Sequence, residues 1–145
     1  MKKVFFLLIG GLLLSIQTFA QSSGDAAPQN PIDVRYQACL NLPSNETTVG
    51  MIECAHAAAD AWNAELENDY KLLMSKLSPD GQKSLERAQR AWVEYREKES
   101  SFSGTLYYSE MDGTMWHTTN ADRTYEIVRE RALALEAYLH DFDLR

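Results

Sequence analysis

Cysteine is scarce in this 145-residue chain, with two in all, and glycine (seven) and proline (four) are also few. No glycine-rich run precedes a Lys-Ser or Lys-Thr pair, which excludes an enzyme fuelled through a phosphate-cradling loop. Positive charge is in short supply: 14 Lys and Arg stand against 21 Asp and Glu, for a net charge of −7. Neutralising phosphates needs clustered Lys and Arg, so no nucleic acid is expected as a partner. After residue 20 no long apolar run occurs, and no stable membrane insertion is expected of the remainder. The length suits one ordinary domain.

The first twenty residues differ from the rest. Lys2 and Lys3 open them, residues 4–14 are apolar, and Thr18-Phe19-Ala20 ends with small residues at −3 and −1. That is the pattern of a secretory signal peptide cleaved near Ala20. Cleavage removes two lysines and no acid, taking the charge from −7 to −9. The first mature residue is then Gln21 and not a lipid-bearing Cys. A periplasmic or secreted location is expected. The organisation reads as a signal peptide over residues 1–20, a Ser/Gly/Pro-rich flexible leader over 21–31 and a helical domain over 32–145.

Within that domain, residues 32–42 suit a short helix ended before Pro43, and residues 43–48 a turn rich in helix-capping types. Met51, Ala55, Ala58, Trp62, Leu66, Tyr70, Leu73 and Leu77 recur at steps of three and four, one face of a long helix. Ser78-Pro79-Asp80 starts the next: a capping hydroxyl, a proline at the first helical position, and an acid at the positive end of the dipole. Leu85, Ala88, Trp92, Tyr95 and Phe102 mark its inner face, and Arg90–Glu94 has ion-pair spacing. The period breaks over residues 100–119, which contain Gly104 and Gly113 and read as a loop or irregular hairpin. A last helix is predicted over residues 120–142, with Tyr125, Val128, Ala132, Leu135, Leu139 and Phe142 inward. The expected class is all-α: a small bundle of three long helices and one short N-terminal one.

Two cysteines in an exported chain predict one disulfide, Cys39–Cys54. Closing that loop is worth roughly 3 kcal/mol in the chain-entropy account.

Met51-Ile52-Glu53-Cys54, followed by Leu66, Tyr70, Leu73 and Leu77, resembles the first signature of the lysozyme-inhibitor LprI-type family. The run Ala88-Gln89-Arg90-Ala91-Trp92-Val93-Glu94-Tyr95-Arg96 resembles its second and more specific one. The resemblance implies an exported bacterial helical protein that inhibits lysozyme. Such relatives often carry a Cys shortly after the Tyr-Arg pair, where this chain has Ser100, so their second bridge has no counterpart here.

Signals for chemistry are few. Glu53, His56 and Asp60 share one helix face, half of what a bundle metal site requires. No second Glu-x-x-His pair completes it, so no metal or other cofactor is expected and these residues read as a solvated face. The carboxylates carry no pattern that marks a paired-acid glycosidase, and no Ser or Cys stands in a nucleophile motif. No catalytic residue is assigned. Trp62, Trp92 and Tyr95 read as core. Arg90 and Arg96 read as ion-pairing residues, either across the bundle or with Glu94 and Glu99, and such pairs are worth little if exposed.

The outlier is the aromatic-rich stretch around Tyr107, Tyr108 and Trp116. It is either a lid folded onto the core or an interface, since Tyr and Trp are common anchors. On the interface reading Tyr107, Tyr108, Trp116 and His117 contact a partner, and Glu110 and Asp112 meet its basic rim. The resemblance implies the class of partner, a lysozyme-like peptidoglycan hydrolase; enzymes that act on anionic walls are commonly cationic, and inhibition is expected to come from occluding the substrate cleft. The acidic charge agrees, since opposite fields steer encounter. Alternatives are an immunity protein against a wall-degrading toxin, an envelope adaptor or assembly protein, and, more remotely, a metal-dependent enzyme using Glu53, His56 and Asp60.

Overall fold

The computed structural model describes residues 30–144. The expected signal peptide lies outside the described residues, as does the leader up to residue 29. Asn30, at the leader's end, accepts a hydrogen bond from the Ile32 amide at 2.8 Å. It thereby caps α1 (Pro31–Leu40), whose first residue needs no amide partner because it is proline. A short 3-10 turn over Pro43–Asn45 leads into α2 (Thr48–Lys76). Thr47 caps α2 by accepting from the Gly50 amide at 3.1 Å. Ser78 caps α3 (Pro79–Thr105) through the Gly81 amide at 3.3 Å, with Pro79 and Asp80 in the first turn as their types predict. After a π-helical turn, Leu106–Glu110, the chain enters α4 (Met115–Asp143). Among the described residues there is no strand, and the all-α bundle of three long helices and one short one is the observed fold.

The core lies chiefly between α2 and α4. Trp62 is 1% exposed, and Ala55, Ala58, Leu66 and Leu73 share its face. Opposite them α4 buries Tyr125, Val128, Ala132, Leu135 and Leu139. The small residues of α2 let the helices approach closely, and Trp62 fills the space between. Arg129 lies 5.7 Å over the Trp62 ring, and fourteen residues further along both helices Lys76 pairs with Asp143 at 2.6 Å. The two helices therefore run in the same direction.

The return path is α3, antiparallel to both. Gln82 donates to the Met74 and Leu77 carbonyls (3.1 Å each), Arg96 reaches Asn63 Oδ1 (3.4 Å), and Arg131 Nε donates to Gln89 Oε1 (3.0 Å). The packing of α3 is thin. Of its 27 residues only Ser103 is buried, and Arg131 Nη2, in the α3–α4 seam, is buried without a partner among the described residues.

Across the other side, α1 packs on α2 and α4. The Cys39–Cys54 disulfide is present, with Cα atoms 5.8 Å apart. Asn45 Nδ2 donates to the Cys39 carbonyl at 3.0 Å and lies 3.4 Å from both sulfurs. A side chain at Gly50 would meet Asn45 Cα at 2.6 Å, so the turn lies directly on the start of α2.

Three expectations are corrected. Residues 100–119 are not a loop or hairpin: α3 continues through Gly104 to Thr105, and α4 starts at Met115. Gly104 has open space around it and only lowers helix propensity, whereas Gly113, at φ 105°, makes the turn. Second, Tyr95 and Phe102 are not core but 53% and 60% exposed, because α3 has too little opposing surface to cover its whole stripe; Trp92 is half-buried against the core. Third, Arg90 pairs with Glu86 (2.5 Å) and not Glu94, which takes Lys98 (2.6 Å). Arg96 makes no ion pair with Glu99; its guanidinium lies 5.0 Å over the Trp92 ring and reaches Asn63.

Candidate functional site

The aromatic-rich stretch forms one end of the molecule. Helix α3 ends on Leu106, whose amide donates to both the Phe102 and Ser103 carbonyls, and the backbone widens into the π-helical turn. Such turns re-aim side chains and are frequent at functional sites. Beneath it, Ser103 Oγ donates to Asn120 Oδ1 at 2.8 Å and fastens α3 to α4. The turn and the first turn of α4 then lie side by side.

Two ring pairs bridge them. Tyr107 stacks on Trp116 with centroids 6.0 Å apart and planes 14° from parallel. Tyr108 stacks on His117 at 4.2 Å and 26°. The first separation lies within the usual range for offset aromatic pairs and the second just under it. Tyr108 is 53% exposed, Glu110 and Asp112 are exposed between the pairs in sequence, and Met115 is exposed beside them. None of the six expected contact residues belongs to the core cluster, and Tyr107, Tyr108 and Trp116 are not among the hydrophobic side chains packed against it. The segment is thus a fastened, half-exposed aromatic tip and not a lid.

The other sequence candidates do not converge. Glu53, His56 and Asp60 are all exposed on the outer side of α2. Among the described residues no group of three or more His, Cys, Asp and Glu is arranged to hold a metal ion.

One polar cluster is far better organised, and nothing in the sequence marked it. Asp33, in α1, accepts from Tyr125 Oη (2.6 Å), Trp62 Nε1 (3.2 Å) and the Arg129 guanidinium (2.6–2.9 Å). Burial would raise its carboxyl, but the donors, Arg129 first, hold it below the ordinary range. Tyr125 is pushed up to about 12 by burial and by its bond to Asp33. Tyr36 hydrogen-bonds Asp122, and burial together with that carboxylate raises its phenol further. With its lone pairs occupied, Asp33 is a clamp joining three helices and not a base awaiting substrate.

A groove also runs between α2 and α3, about 410 Å³ in volume, floored by Tyr70 and Val93 and walled by residues of α3. Periodicity placed both helices correctly but carried no sign of the gap between them.

No curated protein matches the chain. Among solved structures it is similar to an uncharacterised protein from Burkholderia thailandensis, at 30% identity and a TM-score of 0.74. That likeness covers 80% of this chain and 57% of the other, so this chain spans little more than half of that protein's length. The family model described as lysozyme inhibitor LprI matches residues 39–135, a stretch that holds the disulfide, the aromatic tip and most of the α2–α4 core. On that match, the chain belongs to the LprI lysozyme-inhibitor family.

Proposed function

We propose that the protein is an exported, non-catalytic inhibitor of a lysozyme-class peptidoglycan hydrolase, and that it acts by inserting its aromatic tip into the enzyme's substrate cleft. The observation that carries this reading is the tip itself. Tyr107, Tyr108, Trp116 and His117 are held in two stacks outside the core. Rigid aromatic anchors lose little conformational freedom on docking and dominate binding energy. Glu110 and Asp112 are exposed beside them and suit a basic rim. An acidic chain is steered towards a cationic enzyme, most strongly at low salt. Family membership supports the class of target.

The test is an inhibition assay with several lysozyme types at low ionic strength. The mature chain should inhibit at least one at micromolar concentration, and inhibition should weaken as salt rises. No effect on any of them would overturn the reading.

A further inference from the structure

We propose that the groove between α2 and α3 is a second docking surface, which receives a basic amphipathic helix of the partner protein. The chemistry of the occupant rests on the groove; its identification with the hydrolase rests on the inhibitor reading above.

Helix α3 is 27 residues long yet buries one, Ser103. In a globular protein a helix this long is ordinarily held by burying an apolar stripe along its length. Here Leu85 and Trp92 of that stripe reach the core only in part, and beside them Val93, with Tyr70 of α2, lines the open groove. The α3 side of the groove is acidic: Glu86, Glu94 and Glu97 against the single guanidinium of Arg90. Glu86 and Glu94 are engaged in exposed pairs with Arg90 and Lys98. Such pairs are weak and readily exchanged for a partner's cation. Glu97 is exposed and has no ion pair among the described residues.

An apolar floor bordered on its α3 side by carboxylates fits the helix-in-groove mode, with Leu- or Val-type anchors below and Lys or Arg reaching that rim. Charge selects among occupants. A second copy of this acidic chain would set carboxylates against carboxylates, and an anionic surface would be repelled in the same way. The groove also contains Gln89, Arg90, Val93 and Glu94 from the run that carries the family resemblance, none of which the tip employs. From Glu97 to Leu106 is about 14 Å along a helix axis, close enough for one partner to span groove and tip.

The experiment uses the isotope-labelled mature chain and a synthetic 18-residue helical peptide of Leu and Lys in amphipathic order. A scrambled peptide of the same composition is the control. The ordered peptide should shift the amides of Gln89, Val93 and Glu97. The Glu94→Lys/Glu97→Lys variant, altered only at exposed positions, should bind it about tenfold more weakly, and Trp116→Ala should bind it unchanged. In lysozyme assays the same double variant should lose about tenfold in inhibition. Equal binding of the scrambled peptide, or shifts away from the groove, would overturn the proposal. So would a dimer that the double variant dissociates, which would give the groove to a second copy. Undiminished inhibition by the double variant would overturn the groove and leave the inhibitor reading standing. Peptide binding in the groove without inhibition of any lysozyme would do the reverse.

Discussion

Asp33 and Arg129, 96 positions apart, meet in a two-pronged ion pair in which Arg129 Nε and Nη2 lie 2.9 Å and 2.6 Å from Asp33 Oδ2. The pair ties α1 to α4, and Trp62 brings α2 to the same carboxylate. Asp33→Ala leaves the guanidinium and the Tyr125 hydroxyl without their acceptor. The Arg129 side chain is 34% exposed, so the loss falls short of that for a fully buried pair. We expect about 2–3 kcal/mol, read as a lower urea midpoint at neutral pH.

The same cluster sets the pH limits of stability. The Asp33 carboxyl is depressed in the fold. Its contribution is therefore complete above the unfolded value of about 3.9 and is lost as pH falls through the folded one. Tyr125 behaves oppositely: its pKa is raised to about 12. Its contribution is complete below the unfolded value of about 10 and is lost as pH rises towards the folded one. Thermal unfolding followed by circular dichroism should show an acid limb below about pH 4 that Asp33→Asn flattens. It should also show an alkaline limb above about pH 10 that Tyr125→Phe moderates.

Reduction of Cys39–Cys54 should cost roughly 3 kcal/mol, since it frees a fifteen-residue separation in the unfolded chain. Urea titration with and without reductant measures this. A double Cys→Ser variant should match the reduced protein and be insensitive to reductant.

Two glycines should respond with opposite sign. Gly50→Ala places a methyl 2.6 Å from Asn45 Cα and must push the turn off α2, at about 1–3 kcal/mol. Gly104→Ala meets nothing within 4 Å inside a helix and should stabilise by up to about 1 kcal/mol. Melting temperatures of the two variants decide the matter.

Trp116→Ala and Tyr108→Ala remove tip rings that lie outside the core cluster. On the proposed function, each should weaken lysozyme inhibition by roughly tenfold to a hundredfold while the unfolding midpoint stays close to wild type. A fall in stability matching the fall in inhibition would assign these rings to packing instead.

Much of the architecture is written locally. Helix faces, the Ser78-Pro79 start and the inward residues of α2 and α4 follow from spacing and capping, because a helix repeats its own geometry whatever surrounds it. The Cys39–Cys54 pairing followed from the cysteine count and the oxidising destination expected of an exported chain. The aromatic tip was marked by composition, though its helical continuation was hidden behind Gly104, whose cost to a helix is small enough for neighbouring turns to override.

What opposes each face is a different kind of information. The stripe of α3 reads on paper much like that of α4, yet Leu135 is fully buried and Tyr95 half-exposed, since burial depends on which helix arrives across the gap. Asp33 reads as an ordinary first-turn acid until α4 delivers Arg129 and Tyr125 to it. The α2–α3 groove is a space between elements and belongs to no residue. Periodicity constrains a helix about its own axis; only the closing of the chain over long separations selects its neighbours.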